Sequence, residues 1–166
     1  MFPFAWLIGL VLPACAATGA GGLPMPPPMD MATTVRPTSP NTELAGPAIA
    51  GTNGATASHQ DIVSPLYEIP ADRLFAAVSA VAAAQPLTFP AAAYPDRLQA
   101  HWVARSKVFN FPDLITAQVL AHGPNASTLV LYSRSVYGRS DFGVNRRRLD
   151  AWLAALDVWL RPTTER

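Results

Sequence analysis

LQAHWVARSKVFNFPDLITAQVLAHGPNASTLVLYSRS, residues 98–135, is the stretch that decides the fold. Leu98, Ala100, Trp102, Ala104 and Val108 share one parity, against Gln99, His101, Arg105 and Lys107. Ile115, Ala117, Val119 and Ala121 then alternate with Thr116, Gln118 and His122, and Leu129 and Leu131 with Val130, Tyr132 and Arg134. An apolar period of two with β-branched and aromatic residues predicts three strands, each with one face toward a core. Gly123-Pro124-Asn125-Ala126 predicts the turn between the second and third. Asn125-Ala126-Ser127 also spells a glycosylation sequon, but it reads as part of that turn.

Outward from the strands, the period changes to that of a helix. Leu74, Phe75, Val78 and Val81 recur at helical spacing among alanines after Pro70-Ala71-Asp72, and Gln85-Pro86 ends the run. Leu87-Thr88-Phe89 reads as a short strand stopped by Pro90. Downstream, Ser140 or Asp141 can cap a second helix with an apolar stripe of Leu149, Trp152, Leu153, Leu156 and Leu160, closed by Pro162. The expected architecture is α+β: an antiparallel meander of three to four strands, flanked by an N-terminal and a C-terminal helix packed on one face.

The 166 residues leave room for one domain. Eleven of the 17 prolines and seven of the ten glycines precede residue 71, and only Asp30, Arg36, Glu43 and Asp61 are charged before residue 67. A stretch so poor in charge and large apolar side chains is expected to bury too little surface to offset its ordering entropy. Residues 18–60 therefore read as a flexible linker, residues 61–161 as a domain able to fold without them, and 162–166 as a tail. A net charge of +1 argues against a nucleic-acid partner.

Residues 1–17 read as an export signal. Phe4 to Leu12 is an apolar block too short to span a bilayer. Leu12-Pro13-Ala14-Cys15 follows and resembles a bacterial lipobox, which implies that Cys15, the single cysteine, becomes lipidated. The alternative is an ordinary signal peptide that takes Cys15 with it. Ala16 follows the cysteine, and by analogy with lipoproteins this implies an outer-membrane anchor with the domain facing the periplasm. The linker, about 45 residues long, would then be a tether reaching roughly 35–40 Å.

Two blocks in the domain are distinctive: Arg105 to Asp113, RSKVFNFPD, and Leu131 to Arg147, LYSRSVYGRSDFGVNRR. Together they resemble the bacterial family known as "domain of unknown function 1499", over about residues 62–160. Ser39-Pro40-Asn41 is similar to a further family motif, in which a cysteine usually follows; here Thr42 stands in its place. The resemblance implies a fold and a cell-envelope setting, and no reaction.

The chemistry-bearing residues of these blocks are Arg105, Asp113, Arg134, Arg139, Ser140, Asp141, Asn145 and Arg146. Arg139, Arg146, Arg147 and Arg148 fall around the first turns of the last helix, where cations are disfavoured by a few tenths to about 1 kcal/mol each. Asp141, Asp113 or a bound anion can offset them. Three readings follow: a strand–helix corner held by Arg–Asp pairs, a pocket for an anionic or polar group, or a catalytic site around Asp113, Arg139 and Asp141. Asp beside several Arg is expected to serve as counter-ion. Ser133, Ser135 and Ser140 lack an evident base, and His59, His101 and His122 lack metal-ligand spacing, with His101 and His122 expected on exposed strands or turns. No cofactor or metal is expected. The balance favours a tethered, non-enzymatic binding or structural domain with an envelope partner or anionic ligand, against an envelope hydrolase or transferase.

Overall fold

The computed structural model describes residues 18–24, 26–34, 37–47 and 61–161. The elements run β1 (Thr42–Pro47), β2 (Ile62–Ser64), β3 (Leu66–Tyr67), α1 (Ala71–Ala84), β4 (Thr88–Tyr94), β5 (Gln99–Arg105), β6 (Pro112–Ala121), β7 (Ser127–Ser135) and α2 (Val144–Leu160), with a 3-10 turn at Pro95–Arg97. The fold is α+β. Its sheet has the order β2-β1-β7-β6-β5-β4, and β3 also pairs with β7. All pairings are antiparallel except β1 with β2.

Among the described residues, seven strands replace the three to four expected. The meander β4-β5-β6-β7 contains the three alternating stretches. β4 runs through Pro90, which was expected to end it. An edge strand can spare the missing N–H, and the register shifts between Pro90 and Ala92. β2 and β3 are too short to show a period. β1 is the larger correction: TELAGP lies inside the expected linker, yet it pairs with β7 from Thr42↔Arg134 to Ala45↔Leu131. The folded unit therefore begins upstream of residue 61. The first helix is not the N-terminal element either, since three strands precede it.

Alternation gives the sheet two faces. On one, Trp102, Ile115, Ala117, Leu129 and Leu131 form a single cluster with Leu74, Val78 and Val81 of α1 and Leu149, Trp152 and Leu156 of α2. Trp102 and Trp152 meet edge to face, with ring centroids 5.6 Å apart.

The other face carries Gln99, His101, Arg105, Thr116 and Gln118, a pattern that suggests solvent, yet all five are buried. Residues 18–34 contribute a cover. The Gln99 side chain accepts from the Met29 N–H (2.9 Å) and donates to the Met29 carbonyl (2.6 Å), so its amide stands in for a strand partner. Gln118 Oε1 accepts from the Met31 N–H at 2.8 Å. Arg105 donates to the carbonyls of Gly19 (2.7 Å) and Gly21 (2.8 Å). Met31, fully buried, packs with Leu44, Val130 and Tyr132 in a second apolar cluster. Buried amides and guanidinium groups are tolerated because they are hydrogen-bonded. This stretch of the expected linker is thus part of the fold.

Candidate functional site

At one end of the sheet, the loop between β5 and β6 (residues 106–111) and the loop between β7 and α2 (residues 136–143) stand side by side. Pro112 accepts from the Val136 N–H at 3.2 Å, joining them. Between them lies a cleft of about 410 Å³, lined among others by Phe109, Phe111, Tyr137 and Phe142, with Asp113 and Asp141 in its wall.

Behind the cleft a polar network ties β1, β6, β7 and α2 together. Asn145, fully buried on the first turn of α2, donates to the Asn41 carbonyl (3.0 Å) and to Ser135 Oγ (3.2 Å). Its Oδ1 accepts from Ser133 Oγ at 2.6 Å and from Arg148. Arg148 also donates to Ser133 Oγ (3.0 Å) and closes on Asp113 Oδ2 at 2.6 Å, with both side chains largely shielded from water. Asn41 donates to the Gly138 carbonyl at 2.8 Å. The Ser-Pro-Asn, Phe-Pro-Asp, Ser-Arg-Ser and Gly-Arg-Ser-Asp blocks, far apart in sequence, therefore meet at one corner.

Asp141 anchors the helix start. Its carboxylate accepts from the Gly143 N–H (3.0 Å) and the Asn145 N–H (2.7 Å), satisfying donors that a helix N-terminus otherwise leaves open. Ser140 Oγ accepts the nearby Phe142 N–H at 3.3 Å. The Asp141 carboxylate thus occupies the positive end of α2.

The arginines do not converge. Successive helix positions are about 100° apart, so Arg146, Arg147 and Arg148 leave α2 in three directions. Arg146 reaches Asp150 (3.3 Å) and the Asp61 carbonyl (3.0 Å); Arg147 reaches the Phe142 carbonyl (3.1 Å). Of the three, only Arg148 enters the corner; it was expected among the arginines of the first turns but not among the eight chemistry-bearing residues. Its i, i+3 relation to Asn145 places both on one helix face, and that was the available signal. Arg105 clamps residues 19–21 at the back of the sheet. Arg134 points to the same back face, opposite to Ser133 and Ser135, and is half-buried. Arg139 is exposed on the loop beside the cleft. Cys15 lies outside the described residues.

His101, expected at the surface, is buried in the second face. Its Nδ1 hydrogen-bonds Thr116 Oγ1 at 2.8 Å and its ring meets Tyr94 edge-on at 5.6 Å. Burial pushes its pKa below the usual histidine value, so it is held as the neutral imidazole.

The profile of a family described as "Protein of unknown function (DUF1499)" matches residues 33–156. No curated protein and no solved structure matches the chain.

Proposed function

The chain belongs to the DUF1499 family, and from that premise we propose that it is a cell-envelope lipoprotein domain, anchored through Cys15, with a non-enzymatic binding or structural role. One observation carries the non-enzymatic part: the corner consumes its own chemistry. Asp113 is engaged by Arg148, Asp141 by two backbone N–H groups, and Ser133 by Asn145 and Arg148. A general base must come within hydrogen-bond reach of a substrate proton, and these side chains already bond to groups of the fold itself. Polar groups of the cleft wall, such as Ser140 and the Tyr137 side chain, are what a bound polar group would meet. The lipid anchor rests on the lipobox-like Leu12-Pro13-Ala14-Cys15 alone.

The test separates folding from chemistry. Asp113→Ala strands a shielded guanidinium and should cost about 3 kcal/mol or more, read by denaturant unfolding. Adding Arg148→Met removes the stranded charge and should restore most of that stability together with function in the cell. A double variant that is stable but inactive would move the assignment to an enzyme with Asp113 at its site. In parallel, Cys15→Ala should shift the protein from the membrane fraction to the soluble one; a wild type that is already soluble after export would remove the anchor.

A further inference from the structure

The end of the sheet that carries the cleft is crowned by exposed apolar side chains. Val108 and Phe109 on one loop are 80% and 68% exposed, and Phe142 on the other is 87% exposed. Phe109 and Phe111 stack with centroids 5.5 Å apart. Phe142 sits at φ 52°, in the left-handed region that costs a side chain such as this about 1 kcal/mol or more. Within the described fold, an aromatic that is both strained and solvated gains nothing from its position, so the placement points to something outside the chain.

The fully exposed charges of this crown are cationic. Lys107 and Arg139 are exposed on the two loops. The carboxylates nearby, Asp113 and Asp141, are engaged by Arg148 and by backbone N–H groups. The chain also enters the fold here. Arg105, the last residue of β5, holds Gly19 and Gly21 at the base of the 106–111 loop. Cys15 stands four positions before Gly19, and an extended chain covers at most about 3.6 Å per residue, so covalent reach limits their separation to roughly 15 Å.

We propose that the loops 106–111 and 136–143 seat on the surface of a lipid bilayer with anionic headgroups. Phe109, Phe111 and Phe142 enter the boundary between headgroups and acyl chains, where aromatic rings are favoured. Lys107 and Arg139 meet lipid phosphates. The orientation rests on the reading of the chain as a membrane-anchored envelope protein; the binding itself does not need the anchor. Docked in this way, the domain stands directly on the membrane and the cleft opens toward lipid.

The experiment uses a chain beginning at Ala16, which contains every residue of the described fold and no cysteine. Val108→Cys then supplies the only thiol for an environment-sensitive fluorophore. Phosphatidylglycerol vesicles should shift the dye emission to the blue, and phosphatidylcholine vesicles much less. Phe142→Gly should weaken vesicle binding at least about tenfold while leaving the unfolding midpoint unchanged or raised, because it removes the strain along with the ring. Lys107→Gln with Arg139→Gln should weaken binding to phosphatidylglycerol roughly 25-fold, about fivefold per charge near an anionic surface. No dye shift on either vesicle, or a Phe142→Gly chain that binds as before, overturns the proposal. So does a concentration-dependent dimer that shifts the dye without lipid, since the occupant is then a second copy. If Cys15 proves unlipidated while this chain binds vesicles, the anchor fails and the docking surface stands. If Cys15 is lipidated and the dye does not respond, the reverse holds.

Discussion

On the helix face of the sheet, Trp102, Ile115 and Leu131 share one apolar cluster with Leu74, Val81, Trp152 and Leu156, and the polar contacts of Asn145 and Arg148 with Ser133 and Asp113 are gathered at one end. On the opposite face, Gln99, Gln118 and Arg105 hold an irregular Pro- and Gly-rich segment by bonding its main chain, with Met31 as its one fully buried apolar anchor. Both faces are buried, but by different means. The first needs many side chains at the right period. The second needs a few directional donors and acceptors on the sheet, and almost nothing from the sequence that covers it. A segment can thus be low in apolar content and still be ordered, when the surface beneath supplies the hydrogen bonds.

The largest effect that tests this contrast comes from shortening the chain. A chain beginning at Asp61 keeps both helices but loses β1, the neighbour of β7 and β2. It is expected to show no cooperative unfolding transition by circular dichroism. A chain beginning at Pro37 keeps β1 and loses only the cover of the second face. It should unfold cooperatively, destabilised by roughly 2–4 kcal/mol through the lost burial of Met31 and the lost hydrogen bonds. Equal midpoints for the Pro37 chain and the full chain would mean that the cover of the second face adds nothing to the fold.

Single substitutions sharpen the comparison. Trp152→Ala on the helix face should cost about 3–5 kcal/mol in denaturant unfolding, as the Trp102 ring loses its partner and a cavity opens. Gln118→Ala on the other face should cost about 1–2 kcal/mol, because the Met31 N–H loses an acceptor but water can reach a loosened segment. Similar costs at the two sites would erase the distinction drawn between the faces.

The smallest effect is a pH dependence confined to the second face. His101 has its pKa lowered by burial, so the unfolded chain binds a proton more readily than the folded one. Stability from this group is full above 6.5, the unfolded value, and is lost as pH falls from there toward the folded value. Thermal midpoints measured across that window should fall, and His101→Gln should flatten this part of the profile. An unchanged slope in the variant would assign the acid sensitivity to other groups.

How much of this was legible in sequence differs by region. The alternation in residues 98–135 and the stripe Leu149, Trp152, Leu153, Leu156 name the meander, the last helix and the face on which they meet, because burying one face imposes a period on local sequence. The family resemblance over residues 62–160 was carried by motifs that the fold gathers at one corner. Asp141 as the helix anchor was also readable, since a carboxylate just before a helix has open N–H groups within reach.

Tertiary structure alone decided the rest. Thr42–Pro47 becomes a strand because β7 offers it an open edge, and backbone pairing of that kind asks little of side-chain identity. Gly19, Met29 and Met31 are held by Arg105, Gln99 and Gln118, which lie some 70 to 90 positions downstream. Which arginine meets Asp113 was settled by rotation about one helix: Arg148 faces the corner, and Arg146 and Arg147 do not. Sequence periodicity records which residues must leave water. It does not record which distant backbone will come to satisfy them, since a hydrogen bond to a main-chain carbonyl leaves no mark on the residue that owns the carbonyl.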